Sequence, residues 1–239
     1  METELSFVIP CHNIMGFADR LKKTISGLTA LGAPVVLVEN NSKDETFQFL
    51  NDQFTDSQVI ITSTNKKGAP PARNIGLQQV QTTYVKFLDA DDVPLYHLVF
   101  EHLDFLKFRG ADFSTSLHFI ANGTNRLDVN FRPPFDDLIG QSILSGSIGV
   151  TSGAIFRRKA IENTGGFSER LTSNQERDLY WRLFRNNAEY ASFPCFTFIK
   201  YLNKAGISST VSEDEKNANV SALNNQILTF LNKDDLQSG

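Results

Sequence analysis

Three aspartates crowd one short stretch: Asp89, Asp91 and Asp92 within residues 84–94, YVKFLDADDVP. Carboxylates this close repel one another and resist burial unless something positive joins them. A divalent cation shared with a phosphate meets that need, and an all-oxygen donor set suits Mg²⁺ or Mn²⁺. A solvated acidic turn is the plain alternative, so the surrounding elements decide between the two.

Residues 84–88 are rich in β-formers and read as a short buried strand that feeds the aspartates, with Pro94 predicted to stop further strand pairing. Residues 5–10 (LSFVIP), 35–38 and 59–62 read as three more strands. Between them, Phe17, Leu21, Ile25 and Leu28 recur at helical spacing. Phe47, Leu50 and Phe54 stripe a second helix, behind an S-x-x-E capping box from Ser42 to Glu45. Pro70 and Pro71 open a third helix over residues 72–80. Strand and helix alternate, which predicts an α/β fold with a mostly parallel central sheet covered on both faces. Ligands of such sheets sit beyond the carboxyl ends of the strands. Asn13, Glu39 and Asp89 each follow a predicted strand end.

A helix at residues 96–108 carries Leu98, Val99, His102, Phe105 and Leu106 on one face. Phe113, Thr115, Leu117 and Phe119 alternate as a strand, and Asn122-Gly123 signals a hairpin to a return strand at 126–131. A small antiparallel portion is therefore predicted to begin here. Residues 132–149 have the turn residues of a substrate-facing loop. A strand at 152–156 leads to Arg157-Arg158-Lys159, which suits either an anionic ligand or a solvated helix start. Next come a tight Gly165-Gly166-Phe167 loop, a helix at 175–184 and a last strand at 196–201. A terminal amphipathic helix at 212–231 carries Leu223, Ile227, Phe230 and Leu231. His97, His102 and His118 lack metal-ligand spacing.

The 239 residues, 41% hydrophobic and 21% charged, are ordinary for a globular protein with a sizeable core, and 20 phenylalanines predict an aromatic-rich one. A net charge of −4 argues against a general nucleic-acid binder. Cys11 and Cys195 have no C-x-x-C spacing and read as reduced, buried thiols of a cytosolic protein. No leader pattern or membrane-spanning apolar run is present, so the N-x-S/T matches at Asn40, Asn122 and Asn219 read as chance.

Six segments, in order, resemble the inverting family 2 nucleotide-sugar-dependent glycosyltransferases of GT-A fold. They are SFVIPCHN, VVLVENNSKDET, GAPPARNIGL, FLDADD, SGAIFRRKAIENTGGFSERL and QERDLYWRL, spanning residues 6–183. The resemblance implies one GT-A domain at 1–232. Residues 1–94 would be the nucleotide-binding half, 95–211 the acceptor and catalytic half, and 212–232 the C-terminal helix, before a disordered tail at 233–239. It implies donor-nucleotide contacts from Pro10, Asn13, Glu39, Arg73, Asp89 and Ala90, with Asp44 supporting the same loop. Asp91, with Asp89 beside it, would hold Mn²⁺ or Mg²⁺ against the two phosphates.

Matching register on Asp178 and Arg182 puts Glu176 at the family's catalytic Asp position, with Asp178 as the alternative base. Glu176 shares a helix face with Leu179, Tyr180 and Leu183 and should point inward. Glu39 and Gln175-Glu176 depart from the family's Asp and Glu-Asp, which lengthens both carboxylate stems. Lys204 replaces a histidine expected near the phosphates and would meet them as a point charge. The implied partners are a UDP-sugar or similar donor and a glycan or lipid-linked acceptor, as in polysaccharide biosynthesis. The implied location is the cytoplasm, at the inner face of a membrane where the acceptor is lipid-borne.

Two other readings stand beside this one. FLDADDV also fits the h-h-h-D-x-D-x-V of haloacid-dehalogenase-like phosphatases, with Asp89 as nucleophile. A nucleotide-sugar-binding scaffold, impaired by the two lengthened carboxylates, is the non-enzymatic alternative.

Overall fold

Residues 84–88 do form a strand end that feeds the aspartates, and the alternation upstream builds the sheet that positions it. The computed structural model describes residues 3–122, 127–130, 143, 148–202 and 212–235, with the side chains of 130 and 230–235 left aside. Strands β1 (Leu5–Cys11), β2 (Val35–Asn40), β3 (Val59–Thr64) and β4 (Tyr84–Phe87) are linked by helices α1 (Ala18–Ala30), α2 (Thr46–Gln53) and α3 (Ala69–Gln79). They lie side by side as β3-β2-β1-β4, all parallel.

The remaining elements are β5 (Val93–Pro94), α4 (Tyr96–Phe108), β6 (Phe113–Ala121), β7 (Leu127–Asn130), β8 (Ala154–Arg157), α5 (Arg158–Asn163), α6 (Gln175–Arg185), β9 (Tyr190–Tyr201) and α7 (Glu213–Asp235). Strand β8 joins β4 to β6 with antiparallel pairing on both sides. The long β6/β9 ladder is parallel, while β7 and β5 add antiparallel pairs to β6 and β9. The longest ladders are thus parallel, as predicted, and every antiparallel pair involves a strand of the second half.

Alternation along β1 divides the core. Leu5, Phe7 and Ile9 face one layer with Leu21, Ile25 and Leu28 of α1 and Val99, Leu103 and Leu106 of α4. Val8, with Val36, Val38, Val85 and Phe87, faces Ala72 and Leu77 of α3, Leu179, Tyr180 and Leu183 of α6, and Leu223 and Ile227 of α7. Stacked rings of Phe113, Phe156 and Tyr180 make this second layer aromatic.

Several expectations are corrected. Pro94 does not stop pairing: β5 is an edge strand in which Pro94 lies opposite Phe198, and an edge tolerates a missing donor. No capping box forms before α2, which starts at Thr46 with Asp44 beneath it. Phe47 faces solvent, whereas Leu50 and Phe54 are buried. A 3₁₀ turn, Thr151–Gly153, precedes β8. Strand β9 begins at Tyr190 and crosses Pro194 and Cys195 through a register shift that breaks the period-two pattern.

The basic run is spent on neighbours: Arg157 Nε meets Asp112 at 3.1 Å, and Arg158 Nη1 meets Glu162 at 2.7 Å. Cys11 is buried but Cys195 only half-buried, and both are free. Helix α7 runs on to Asp235, past the start of the predicted tail. Most of the 132–149 loop, Lys204, the Phe230 and Leu231 side chains and residues 236–239 lie outside the described residues. Among those described, no helix is long and apolar enough to cross a membrane.

Candidate active site

Strands β1, β2 and β4 end at the same edge of the sheet. Cys11 is in register with Glu39, and Val8 with Phe87, so the segments after all three strands converge. Asn13 and Asn41 turn the chain there in the left-handed region, at φ 49° and 52°. Pro10 is half-buried opposite Val38. The first two segments are stitched together. Asn13 N donates to Ser42 Oγ at 3.1 Å, and Lys43 N donates to Asn13 Oδ1 at 2.8 Å. Asp44 Oδ1 accepts from Thr46 N at 3.1 Å, and its Oδ2 accepts from Met15 N at 3.3 Å. Asp44 therefore both caps α2 and ties it to the first loop. Glu39 is 8% exposed, with Oε1 accepting from Ser42 N at 2.6 Å. It is a buried, held carboxylate, unlike an exposed turn residue.

Helix α3 brings in the arginine. Gly68, at φ 109°, lets the chain enter the helix, and Pro70 and Pro71 sit in its first turn. The next residues each have a task. Arg73, 5% exposed, donates from Nη2 to Asp89 Oδ1 at 2.7 Å and from Nη1 to Gln175 Oε1 at 3.1 Å. Its guanidinium carbon stands 5.2 Å from the centre of the Phe167 ring, and that ring packs edge-on to Phe87. Asn74 brackets the glycine loop: Nδ2 donates to Phe167 O at 2.9 Å, and Oδ1 accepts from Phe167 N at 2.8 Å. Gly76 lies so near the sheet that a Cβ would sit 2.3 Å from Val8 Cγ1.

The aspartates differ sharply in their surroundings. Asp89 N donates to Ser152 Oγ at 3.1 Å, which anchors the turn to the start of β8. Burial pushes the Asp89 carboxyl up, yet Arg73 and Lys200 together hold it below the usual carboxylate range. Asp91 is half-buried and pushed up by that burial and by the charge of Asp89. Asp92 is buried in the protein, and burial raises it to about 7. Its Oδ1 accepts from Tyr201 N at 3.3 Å, while its Oδ2 has no hydrogen bond among the described residues. Lys200 Nζ stands 3.7 Å from Oδ2 of both Asp89 and Asp92. Ala90, 7% exposed, packs into the core between them.

Helix α6 closes the site from the second half of the chain. Asn174 adopts φ 55° immediately before it, and Gln175 spends its carbonyl oxygen on Arg73. Glu176 is half-buried and near Lys200, Arg177 and Tyr180: its charge adds to the upward shifts of Lys200 and Tyr180, while burial holds Arg177 below its ordinary value against the pull of Glu176. Asp178 is engaged elsewhere: Arg182 Nε and Nη2 both donate to its Oδ2, at 2.9 and 2.7 Å.

Glu39, Asn13, Arg73, Asp89, Asp91 and Glu176 are therefore all found at the carboxyl end of the sheet, while Asp178 forms an ion pair within its helix. Lys200, Gln175, Asn74 and Ser152 complete the arrangement without having been assigned a site role in the sequence. Asn74, Ser152 and Gln175 lie within the quoted segments GAPPARNIGL, SGAIFRRKAIENTGGFSERL and QERDLYWRL, whereas Lys200 lies in none.

Known proteins resemble this chain in fold and in sequence. S. aureus TarS 1-349, solved in complex with UDP-GlcNAc, superposes with a TM-score of 0.72 at 17% identity, covering 89% of this chain and 62% of TarS. The mannosyltransferase PcManGT of Pyrobaculum calidifontis, solved with GDP-Man and Mn²⁺, gives 0.63 at 15% identity, covering 87% and 59%. These likenesses establish the GT-A fold. In sequence, the chain is similar to a UDP-Glc:alpha-D-GlcNAc-diphosphoundecaprenol beta-1,3-glucosyltransferase of Escherichia coli. The two are 26% identical over 131 residues, 54% of this chain. The chain spans 52% of that relative's length. The Glycosyl transferase family 2 profile matches residues 6–165, and with fold and motifs in agreement the chain belongs to that family.

Proposed function

We propose that this chain transfers a sugar, with inversion, from a UDP-sugar to a hydroxyl of a glycan or lipid-linked saccharide. The observation that carries this reading is Arg73. It bridges Asp89, at the end of a parallel strand, to Gln175, beside Glu176. One guanidinium thus ties the expected donor end of the sheet to the helix that offers a base. A phosphatase nucleophile at Asp89 has no support in the family match.

Asn13, Glu39 and the loops they brace would hold the nucleoside, with Arg73 and Asp89 at the ribose and phosphates. The residues fit a divalent cation held by a single carboxylate together with a ligand's phosphates. Asp91 supplies a carboxylate in need of positive charge, and among the described residues no three His, Cys, Asp or Glu converge as a closed cage. Asp91 would hold such an ion, with Asp89 beside it. When bound, the ion supplies positive charge to the departing diphosphate. Glu176 would take the proton of the acceptor hydroxyl as its oxygen attacks the anomeric carbon from the face opposite the diphosphate. Asp178, committed to Arg182, would position the helix.

The test is a thermal-shift titration with UDP, with and without Mn²⁺, on the wild type and Asp91→Ala. A ligand at ~100 times its Kd stabilises by about 2.7 kcal/mol. The expected result is a Mn²⁺-enhanced shift that Asp91→Ala loses, followed by UDP-sugar hydrolysis that Glu176→Gln abolishes. A wild type that no nucleoside diphosphate shifts under any metal condition would overturn the donor assignment. Tight donor binding without turnover, unchanged in Glu176→Asp, would point to a binding protein.

A further inference from the structure

Lys200 belongs to no motif, yet it stands among the aspartates. It lies near the end of β9, and two contacts pin that end to the Asp91 turn. Arg20 stacks on the Tyr201 ring, 3.7 Å from its centre, and donates from Nη1 to Asp91 O at 3.0 Å. The ammonium is therefore held beside the turn by its neighbours rather than by its own bonds.

Its distances are informative. At 3.7 Å from Asp89 Oδ2 and Asp92 Oδ2, Nζ is an ion-pair partner of both carboxylates but too far away to hydrogen-bond either. Asp89 already has a guanidinium at 2.7 Å, and among the described residues Asp92 Oδ2 lacks a hydrogen bond despite its burial. A structural ammonium would close on one of them. This one stays between both, with 30% of its side chain exposed, so that among the described residues its N–H donors remain available to an incoming acceptor.

We propose that Lys200 is a diphosphate-binding residue, whose ammonium turns from Asp89 and Asp92 to the phosphate oxygens of a nucleoside diphosphate and holds it without metal. A compact, flexible point charge suits that turn better than a fixed fork. The assignment of a nucleoside diphosphate rests on the function proposed above, whereas the phosphate site itself does not. Lys200 would thus provide part of the charge that Asp91 alone would otherwise have to recruit as a cation.

Calorimetric titrations of UDP and of inorganic pyrophosphate, in EDTA and in Mn²⁺, would test this on the wild type, Lys200→Met and Lys200→Arg. Urea midpoints would verify that each variant folds. The wild type should bind UDP in EDTA. Lys200→Met should lose about tenfold or more of that affinity, roughly one full ion–phosphate contact, and Lys200→Arg should recover most of it. Metal-free binding that is equal in wild type and Lys200→Met overturns the proposal but leaves the donor assignment standing. So does a wild type that binds UDP only with Mn²⁺, a result that needs no variant. Lys200-dependent pyrophosphate binding that no nucleoside improves supports the phosphate site and overturns the donor assignment instead.

Discussion

Arg73 donates to the Gln175 side-chain oxygen at 3.1 Å across 102 residues of sequence. That bond joins the helix entering the parallel half of the sheet to the helix that presents Glu176. Arg73→Lys keeps a charge near Asp89 but cannot fork to both partners. It should cost about 1 kcal/mol, the worth of one ordinary hydrogen bond, and weaken UDP binding. Arg73→Ala removes the closest cation from a carboxylate that is 33% exposed and should cost about 1–3 kcal/mol. Urea denaturation of both variants tests the order. Equal losses would mean that the fork to Gln175 contributes nothing.

Gly76 should tolerate no side chain. A Cβ there meets Val8 Cγ1 at 2.3 Å and Val38 Cγ2 at 3.0 Å, both on strands that carry the site. Val8 is buried and β-branched, so it has little freedom to yield. Gly76→Ala should destabilise by about 1–3 kcal/mol through overpacking. The helix propensity of alanine pulls the other way, by about 1 kcal/mol. A urea midpoint at or above that of the wild type would show that α3 can lift off the sheet at no cost.

Glu176 and Asp178 lie on one turn of helix and should separate in kinetics. Glu176→Gln is expected to lower kcat about 10²–10⁴-fold, the range for a positioned general base, with UDP affinity unchanged. Asp178→Asn loses the pair with Arg182, worth about 0.3–0.5 kcal/mol as an i,i+4 contact, and should leave kcat close to the wild type. Steady-state kinetics with a matched donor and acceptor decides this. A large kcat loss in Asp178→Asn alone would transfer the role of base.

What the sequence disclosed and what it concealed follow from how far each feature depends on local chemistry. The strands beneath the site were legible because their burial on both faces leaves near-continuous apolar runs, as in residues 5–10 and 35–38. The capping box failed because Ser42 had a better use: its hydroxyl accepts from Asn13 N, 29 residues away. Pro94 misled because an edge strand needs hydrogen bonds on one side only. Arg157 looked available until the fold brought Asp112 to it. Lys200 had no local signal, since its partners Asp89 and Asp92 come from another strand end and meet it only once β9 is laid down.

Lys86, in the middle of β4, offers a test by pH. It is completely buried, donates to Ala154 O at 3.4 Å and faces the Phe198 ring. Burial lowers its pKa from 10.5 to about 7, with Asp92 working in the opposite direction. In the unfolded chain it would titrate near 10.5. Between those two values the unfolded chain holds a proton that the folded chain has released, so stability rises with pH across this window. Below about 7 both states hold the proton, and Lys86 adds no slope. Lys86→Met should therefore be more stable than the wild type at pH 6–7, by about 1–4 kcal/mol if an apolar chain fills the space well. That advantage should shrink steadily toward pH 10. Urea midpoints of both proteins at four pH values would show it. A gap that stays constant, or widens with pH, would mean that Lys86 remains charged in the folded protein, with Asp92 as its effective counter-ion.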